Sequence, residues 1–261
     1  MTTLDSAAAV LRCFAIDRPE LTVTEAARLL GAPKSTTSRL LRAMRDAGLL
    51  ELAPPGKRYR PGLLLFEAGR LYQAGSSLLA EADAAVGRLA AEVGHTGYVS
   101  VLDGVSVVGL KHHVGQGPLR VATPTGRRLE AQATATGRAL LARLDDLDVR
   151  ARFADGFAPA SPTAPGDLDD LIGRLDVVRR QGFAQSFDEA NHGVAAQAVA
   201  VGTRDAGEAV ALCIAYPLAT VDESLRGRIV HGLLAARADL ARRFDDPVGL
   251  PLPPHPRVSA A

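Results

Sequence analysis

Cysteine is scarce in this chain. Cys13 and Cys213 stand 200 positions apart, and neither belongs to a CxxC pair or a Cys/His cluster. The chain therefore has no disulfide framework or thiolate zinc motif, and a reducing, cytoplasmic location is expected. No apolar run approaches the roughly 20 residues of a membrane-spanning helix. The start, Met-Thr-Thr-Leu-Asp, lacks the basic and long apolar regions of a signal peptide. Internal repeats are missing, as are a G-x-S-x-G elbow, a P-loop and a G-x-G-x-x-G fingerprint. Ser100, Asp103 and His112 can be drawn as a triad, but nothing nearby in sequence activates the serine. All six histidines follow residue 62. His112 and His113 are adjacent on an expected strand and so face opposite ways. Convergence of His95, His112 and His192 on a metal stays open, since zinc needs three or four converging ligands. No cofactor and no metal are expected.

What is present is enough for a real core. In 261 residues, 47% are hydrophobic and 23% charged, the balance of a globular chain with one large domain or a small and a medium one. The net charge of +1 conceals an asymmetry. Residues 1–62 hold 10 Lys/Arg against 6 Asp/Glu, and the remainder 20 against 23. Residues 33–60 alone hold 7 basic and 2 acidic residues. A local excess of this kind suggests a polyanion partner for the N-terminal part.

That part reads as three helices and a hairpin. "LDSAAAVLRCFAI" places Leu4, Ala8, Leu11 and Ala15 on one helical stripe. "TVTEAARLLG" opens with Thr22 three residues before Glu25, a capping-box spacing, and ends at Gly31. Pro33 suits the start of a third helix, on which Thr37, Leu40, Leu41 and Met44 form the buried stripe. Ser35, Ser38, Arg39 and Arg42 fall on the opposite face. "APPGKRYR" is then a turn with a basic returning strand. Each piece alone is compatible with a solvated helix and a basic loop. Their order is that of a winged helix-turn-helix, in which Lys34, Ser35, Thr36, Ser38, Arg39 and Arg42 would meet phosphates and base edges. Lys57, Arg58 and Arg60 would be the wing contacts to double-stranded DNA.

Residues 63–93 read as helix in two parts, separated near Gly75-Ser76-Ser77. From residue 97 the period becomes two: "YVSVLDGVSVVGLKHHV" is a hairpin around Asp103-Gly104. A short strand is expected over 119–123, a helix from near Thr134, and another over 168–182 closed by Gly182. "GVAAQAVAV" and "AVALCIAY" are paired strands, followed by a final helix of about six turns. The fold class is mixed α+β with an antiparallel sheet. The boundaries are 1–62 for the DNA-binding domain, 63–80 for a linker helix, 81–246 for a sensor-like domain, and 247–261 for a Pro-rich tail expected to be disordered.

The chain resembles the IclR family of bacterial transcriptional regulators. The resemblance is carried by "TVTEAARLLGAPKSTTSRLLRAMRDAGLLE", by "KRYRPG", by "ATATGRALLA" and by "QGFAQSFDEANHGVAAQAVAV". It implies a dimeric or tetrameric repressor or activator that is not an enzyme, binding a pseudo-palindromic operator. It also implies a GAF-like C-terminal domain that takes a small organic effector. By this resemblance the effector meets Ala135 and Thr136, whose backbone N–H groups would hold a carboxylate, with Ser186, Ala196, Cys213 and Ala215 as other wall positions. Members that take small polar keto acids place a carboxylate, a thiol and two hydroxyls there. This chain has fewer polar groups, so a larger, more apolar or aromatic acid is expected. The alternatives are an enzyme or metal-dependent sensor on the same fold, or a DNA-binding protein without an effector.

Overall fold

The computed structural model describes residues 2–117, 121, 123–204 and 207–248. It divides into two compact units, residues 1–76 and 77–261.

The first unit holds α1 (Thr3–Arg12), α2 (Val23–Leu30), α3 (Lys34–Asp46), β1 (Leu50–Ala53), β2 (Arg58–Pro61) and α4 (Leu63–Ala74). The Thr22–Glu25 capping box forms as its spacing predicts: Thr22 Oγ1 accepts the Glu25 N–H, and the Glu25 carboxylate accepts the Thr22 N–H at 2.7 Å. Gly31 closes α2 in the left-handed conformation. Leu41 and Met44 of α3 pack with Val10, Ala26, Leu50 and Tyr59 in one small core. The wing pairs β1 and β2 antiparallel, Leu50 opposite Pro61 and Ala53 opposite Arg58. A bridge between Leu21 and Tyr59 adds the segment before α2 to this sheet.

Two details differ from the periodicity. Val10, not Leu4, anchors α1, and Leu4 is 81% exposed. Only the C-terminal half of α1 reaches the core, through Ala7, Val10 and Leu11. Leu40 is half-buried, so the fully buried stripe of α3 is Thr37, Leu41 and Met44.

The second unit is built on a six-stranded antiparallel sheet. Its elements are α5 (Ser77–Val93), β3 (Thr96–Asp103), β4 (Ser106–His113), β5 (Arg128–Glu130), α6 (Ala135–Leu141), α7 (Asp146–Arg152), α8 (Leu168–Gln181), β6 (Ala184–Phe187), β7 (Val194–Gly202), β8 (Ala209–Pro217), a 3-10 turn and α9 (Glu223–Arg243). The strand order is β5-β4-β3-β8-β7-β6. The expected hairpin at Asp103-Gly104 is β3–β4, and the helix closed by Gly182 is α8. The short β5 and β6 and the two-turn α7 carry too few residues to show a period. The strand expected over 119–123 falls largely on residues outside the described set, as does the tail beyond Val248.

Side-chain size alternates along the central strands and decides what each sheet face can do. On β8, Val210, Leu212, Ile214 and Tyr216 face α5 and α9, together with Val199 and Val201 of β7. Each large aliphatic side chain fully buried there contributes about 1.5–3 kcal/mol. The opposite face carries Ala211, Cys213 and Ala215 of β8 and Ala198 and Ala200 of β7, packed with α6 and α8. Small side chains on that face leave room beside the sheet. The buried Asp246 carboxylate, which follows α9, accepts from Arg143 at 2.7 Å and from the Gly202 N–H at 2.8 Å. Burial pushes its pKa up, but these donors outweigh that and hold it below the usual carboxylate range.

Candidate functional site

Two surfaces carry the chemistry. On the first unit, α3 begins at Pro33 without a side-chain cap. Thr37 turns inward, its hydroxyl donating to the Pro33 carbonyl at 3.1 Å. Lys34, Ser35, Thr36, Arg39 and Arg42 are exposed, and Ser38 is half-buried on the same side. Among the described residues, the side chains of Lys34, Arg39, Arg42 and Lys57 make no ion pair.

The remaining cations of α3 and the wing are engaged. Arg45 pairs with Asp46, Arg60 with Glu51 at 2.6 Å, and Arg58 with Glu25 at 3.0 Å and Glu20 at 3.4 Å. Hydrogen bonds from Thr22, with a smaller contribution from Arg58, hold the Glu25 carboxyl below its ordinary range. Arg58 thus ties the wing to the cap of α2, while Lys57 at the turn keeps its charge uncommitted.

On the second unit a cavity of about 700 Å³, counting its open mouth, lies between the small-residue face of the sheet and the start of α6. Ala135, Thr136, Ser186, Ala196, Cys213 and Ala215 all line it. The strand register explains the convergence: Ser186 pairs with Ala196, Ala196 with Ala215, and Cys213 with Tyr98. Thr134 caps α6, its hydroxyl accepting the Gly137 N–H at 3.0 Å. The Ala135 and Thr136 N–H groups have no backbone partner among the described residues. The Thr136 hydroxyl bonds the Cys213 thiol, whose pKa burial nonetheless pushes up to about 12. Such a thiol stays neutral and inert, a wall group and not a nucleophile.

Several lining groups carried no signal in the sequence. The Tyr98 hydroxyl donates to the Val121 carbonyl at 2.9 Å and accepts the Thr123 N–H at 2.8 Å, fixing that segment over the cavity. Ser100, drawn above into a triad, lines the cavity. Its supposed partners lie elsewhere, Asp103 on Arg128 and His112 stacked on the Tyr98 ring. The histidines likewise have separate neighbours: His95 packs on Tyr216, His113 bonds Asp83, and His192 pairs with Asp188. Behind the cavity, buried Arg138 of α6 donates to both Glu189 oxygens and to the Gln132 and Gln185 carbonyls. This clamp holds the β6–β7 loop, which supplies Ala190 and Asn191 to the wall, against α6.

A winged helix with a basic face, and in the same chain a sheet domain with a cavity beside its small-residue face, are the parts of a DNA-binding regulator with a separate effector domain. The description "Bacterial transcriptional regulator IclR C-terminal" matches residues 72–242, and "IclR helix-turn-helix domain" matches residues 3–54. The chain belongs to the IclR family of bacterial transcriptional regulators. It is 26% identical to the HTH-type transcriptional regulator XynR of Escherichia coli over 94% of this chain and 98% of that one. An IclR transcriptional regulator from a Silicibacter species superposes with a TM-score of 0.83 at 26% identity, covering 97% and 98% of the two chains. An IclR homologue from Microbacterium hydrocarbonoxydans, solved with 4-hydroxybenzoate, has the same fold, with a TM-score of 0.73 at 23% identity over 92% of this chain and 100% of that one. These relatives are regulators and not enzymes. The chain is a transcriptional regulator with an N-terminal DNA-binding domain and a C-terminal effector domain.

Proposed function

We propose that α3 is the recognition helix of an operator-binding homodimer or tetramer, and that the cavity holds a largely apolar, aromatic-sized organic acid. For the DNA half, the supporting observation is the partition of charge. Within α3 and the wing, the cations without an ion pair among the described residues are Lys34, Arg39, Arg42 and Lys57, clustered on one helix face and the wing tip, although exposed Arg12, Arg28 and Arg70 elsewhere in the unit are also unpaired. Arg39 and Arg42 reach base edges, Lys34, Ser35, Thr36 and Ser38 bind phosphates near the helix start, and Lys57 tracks the adjacent backbone. Arg58 and Arg60 hold the wing in shape through their carboxylate partners and contact phosphates secondarily. Two copies would read the half-sites of a pseudo-palindromic operator.

Arg39→Ala is expected to weaken operator binding by about 1–3 kcal/mol while leaving non-specific duplex binding nearly unchanged. Lys57→Ala should weaken both alike and lower the salt slope by about 1. Fluorescence anisotropy across a salt series reads both, and an Arg39→Ala protein that binds its operator as tightly as wild type overturns the assignment.

In the cavity, the Ala135 and Thr136 N–H groups receive the effector carboxylate, with the Thr136 and Ser186 hydroxyls beside it. Ala196, Cys213 and Ala215 contact the body. A compact polyoxygenated acid would leave several of its polar groups unpaired against that wall, each costing about 1–3 kcal/mol. The homologue solved with 4-hydroxybenzoate lends support, since an aromatic acid fits the same fold. In calorimetric titration of the full chain, benzoate is expected to bind and glyoxylate to give no micromolar affinity. The reverse result refutes the apolar assignment, and silence from a broad panel of acids favours a DNA-binding protein without an effector.

A further inference from the structure

We propose that the cavity has a second anion-binding end, at Arg127 beside Gly109, so that the effector is a dicarboxylate with an apolar body. This rests on the effector reading above and extends it from one charged end to two. The described lining includes two cations, Lys111 and Arg127, and no aspartate or glutamate. A wall with positive charge and no carboxylate favours a ligand carrying more than one negative charge.

Arg127 is the uncommitted one. Its side chain makes no hydrogen bond or ion pair with the described residues. The acidic side chains along the same sheet edge are already engaged, Asp103 by Arg128 and Glu130 by Gln132. The Gly126 N–H donates to the Gly109 carbonyl at 2.7 Å, which holds the turn before Arg127 against β4.

Gly109 supplies the space. Its backbone is outside the left-handed region, so no turn requires glycine there, and a Cβ would meet nothing within 4 Å. The missing side chain opens the wall next to the exposed Arg127 guanidinium, which has no partner among the described residues and whose planar fork suits a carboxylate. Tyr98, Val107, Val121 and Leu129 also line the cavity and give the body of the ligand apolar contacts.

The test is calorimetry on the full chain with two matched pairs, benzoate against terephthalate and hexanoate against adipate. At least one diacid is expected to bind about tenfold or more tightly than its monoacid, the ratio of one charge-assisted hydrogen bond. Arg127→Gln should lower diacid affinity far more than monoacid affinity and so collapse that ratio, and Arg127→Lys should restore part of it. Equal affinities within both pairs, or a ratio that survives Arg127→Gln, overturns the second anion end and leaves the single-carboxylate reading intact. No binding by any of the four acids overturns both.

Discussion

Glu189→Ala is expected to destabilise the C-terminal domain by about 3–5 kcal/mol, the effect of removing one partner from a buried ion pair. The Arg138 and Glu189 side chains are 3% and 6% exposed. The guanidinium of Arg138 is surrounded by acceptors: the two Glu189 oxygens, one at 2.8 Å, and the Gln132 carbonyl at 2.8 Å, with the Gln185 carbonyl as the fourth. Without Glu189 the two carbonyls still accept hydrogen bonds, but nothing neutralises a charge that cannot reach water. Arg174, 3.6 Å from Glu189, is a third exposed and keeps its own pair with Asp170, so the deficit falls on Arg138.

In a domain of this size such a loss lowers the calorimetric melting temperature of that transition by roughly 6–20 °C. The double variant Arg138→Met, Glu189→Leu should be less destabilised than Glu189→Ala, because it leaves no orphaned charge. Equal melting temperatures for Glu189→Ala and wild type would show that the clamp is not what holds the pocket loop.

The second large effect is steric. A Cβ on Gly137 would sit 2.1 Å from the Ala131 carbonyl oxygen and 2.4 Å from its Cα. Both are backbone atoms and cannot rotate away, so Gly137→Ala must push α6 off the segment that precedes it. The expected cost is about 3 kcal/mol, the upper end for overpacking. The same shift moves the Ala135 and Thr136 N–H groups, so effector binding should be lost along with stability. Gly173 of α8 is the control: a Cβ there meets nothing within 4 Å. Gly173→Ala should stabilise by about 0.5–1 kcal/mol through helix propensity. Thermal melts of the two variants should therefore move in opposite directions, and a common direction would refute the close-approach argument.

Much of the architecture was legible locally. The Thr22–Glu25 spacing, the Asp103-Gly104 turn and the Gly182 stop each depend on residues a few positions apart, and each forms as read. The misreadings have a common origin. Leu4 matched the period of α1 but sits exposed on its first turn, and β5, β6 and α7 are too short to express a period at all. The six cavity positions Ala135, Thr136, Ser186, Ala196, Cys213 and Ala215 were reached through family resemblance. Tyr98 and Arg127 were not: Tyr98 reaches the wall through β3 pairing with β8, more than 100 residues away in the chain, and Arg127 through the packing of the turn before β5 on β4.

By itself, then, the sequence determined the helix-turn-helix, the alternation of large and small residues on the central strands, and the basic excess of the N-terminal part. These are properties of neighbouring residues, set by helix and strand periods and by capping chemistry. Tertiary structure alone decided which charges are available. Lys57 and Arg58 are adjacent and alike in charge, yet one is uncommitted and the other is bound to Glu20 and Glu25. Arg127, just before β5, and Arg138, in α6, are close in sequence, yet one lines a cavity and the other is buried against Glu189. The range of the forces is the reason: periodicity acts along the chain, whereas pairing, desolvation and cavity shape arise only where distant segments meet.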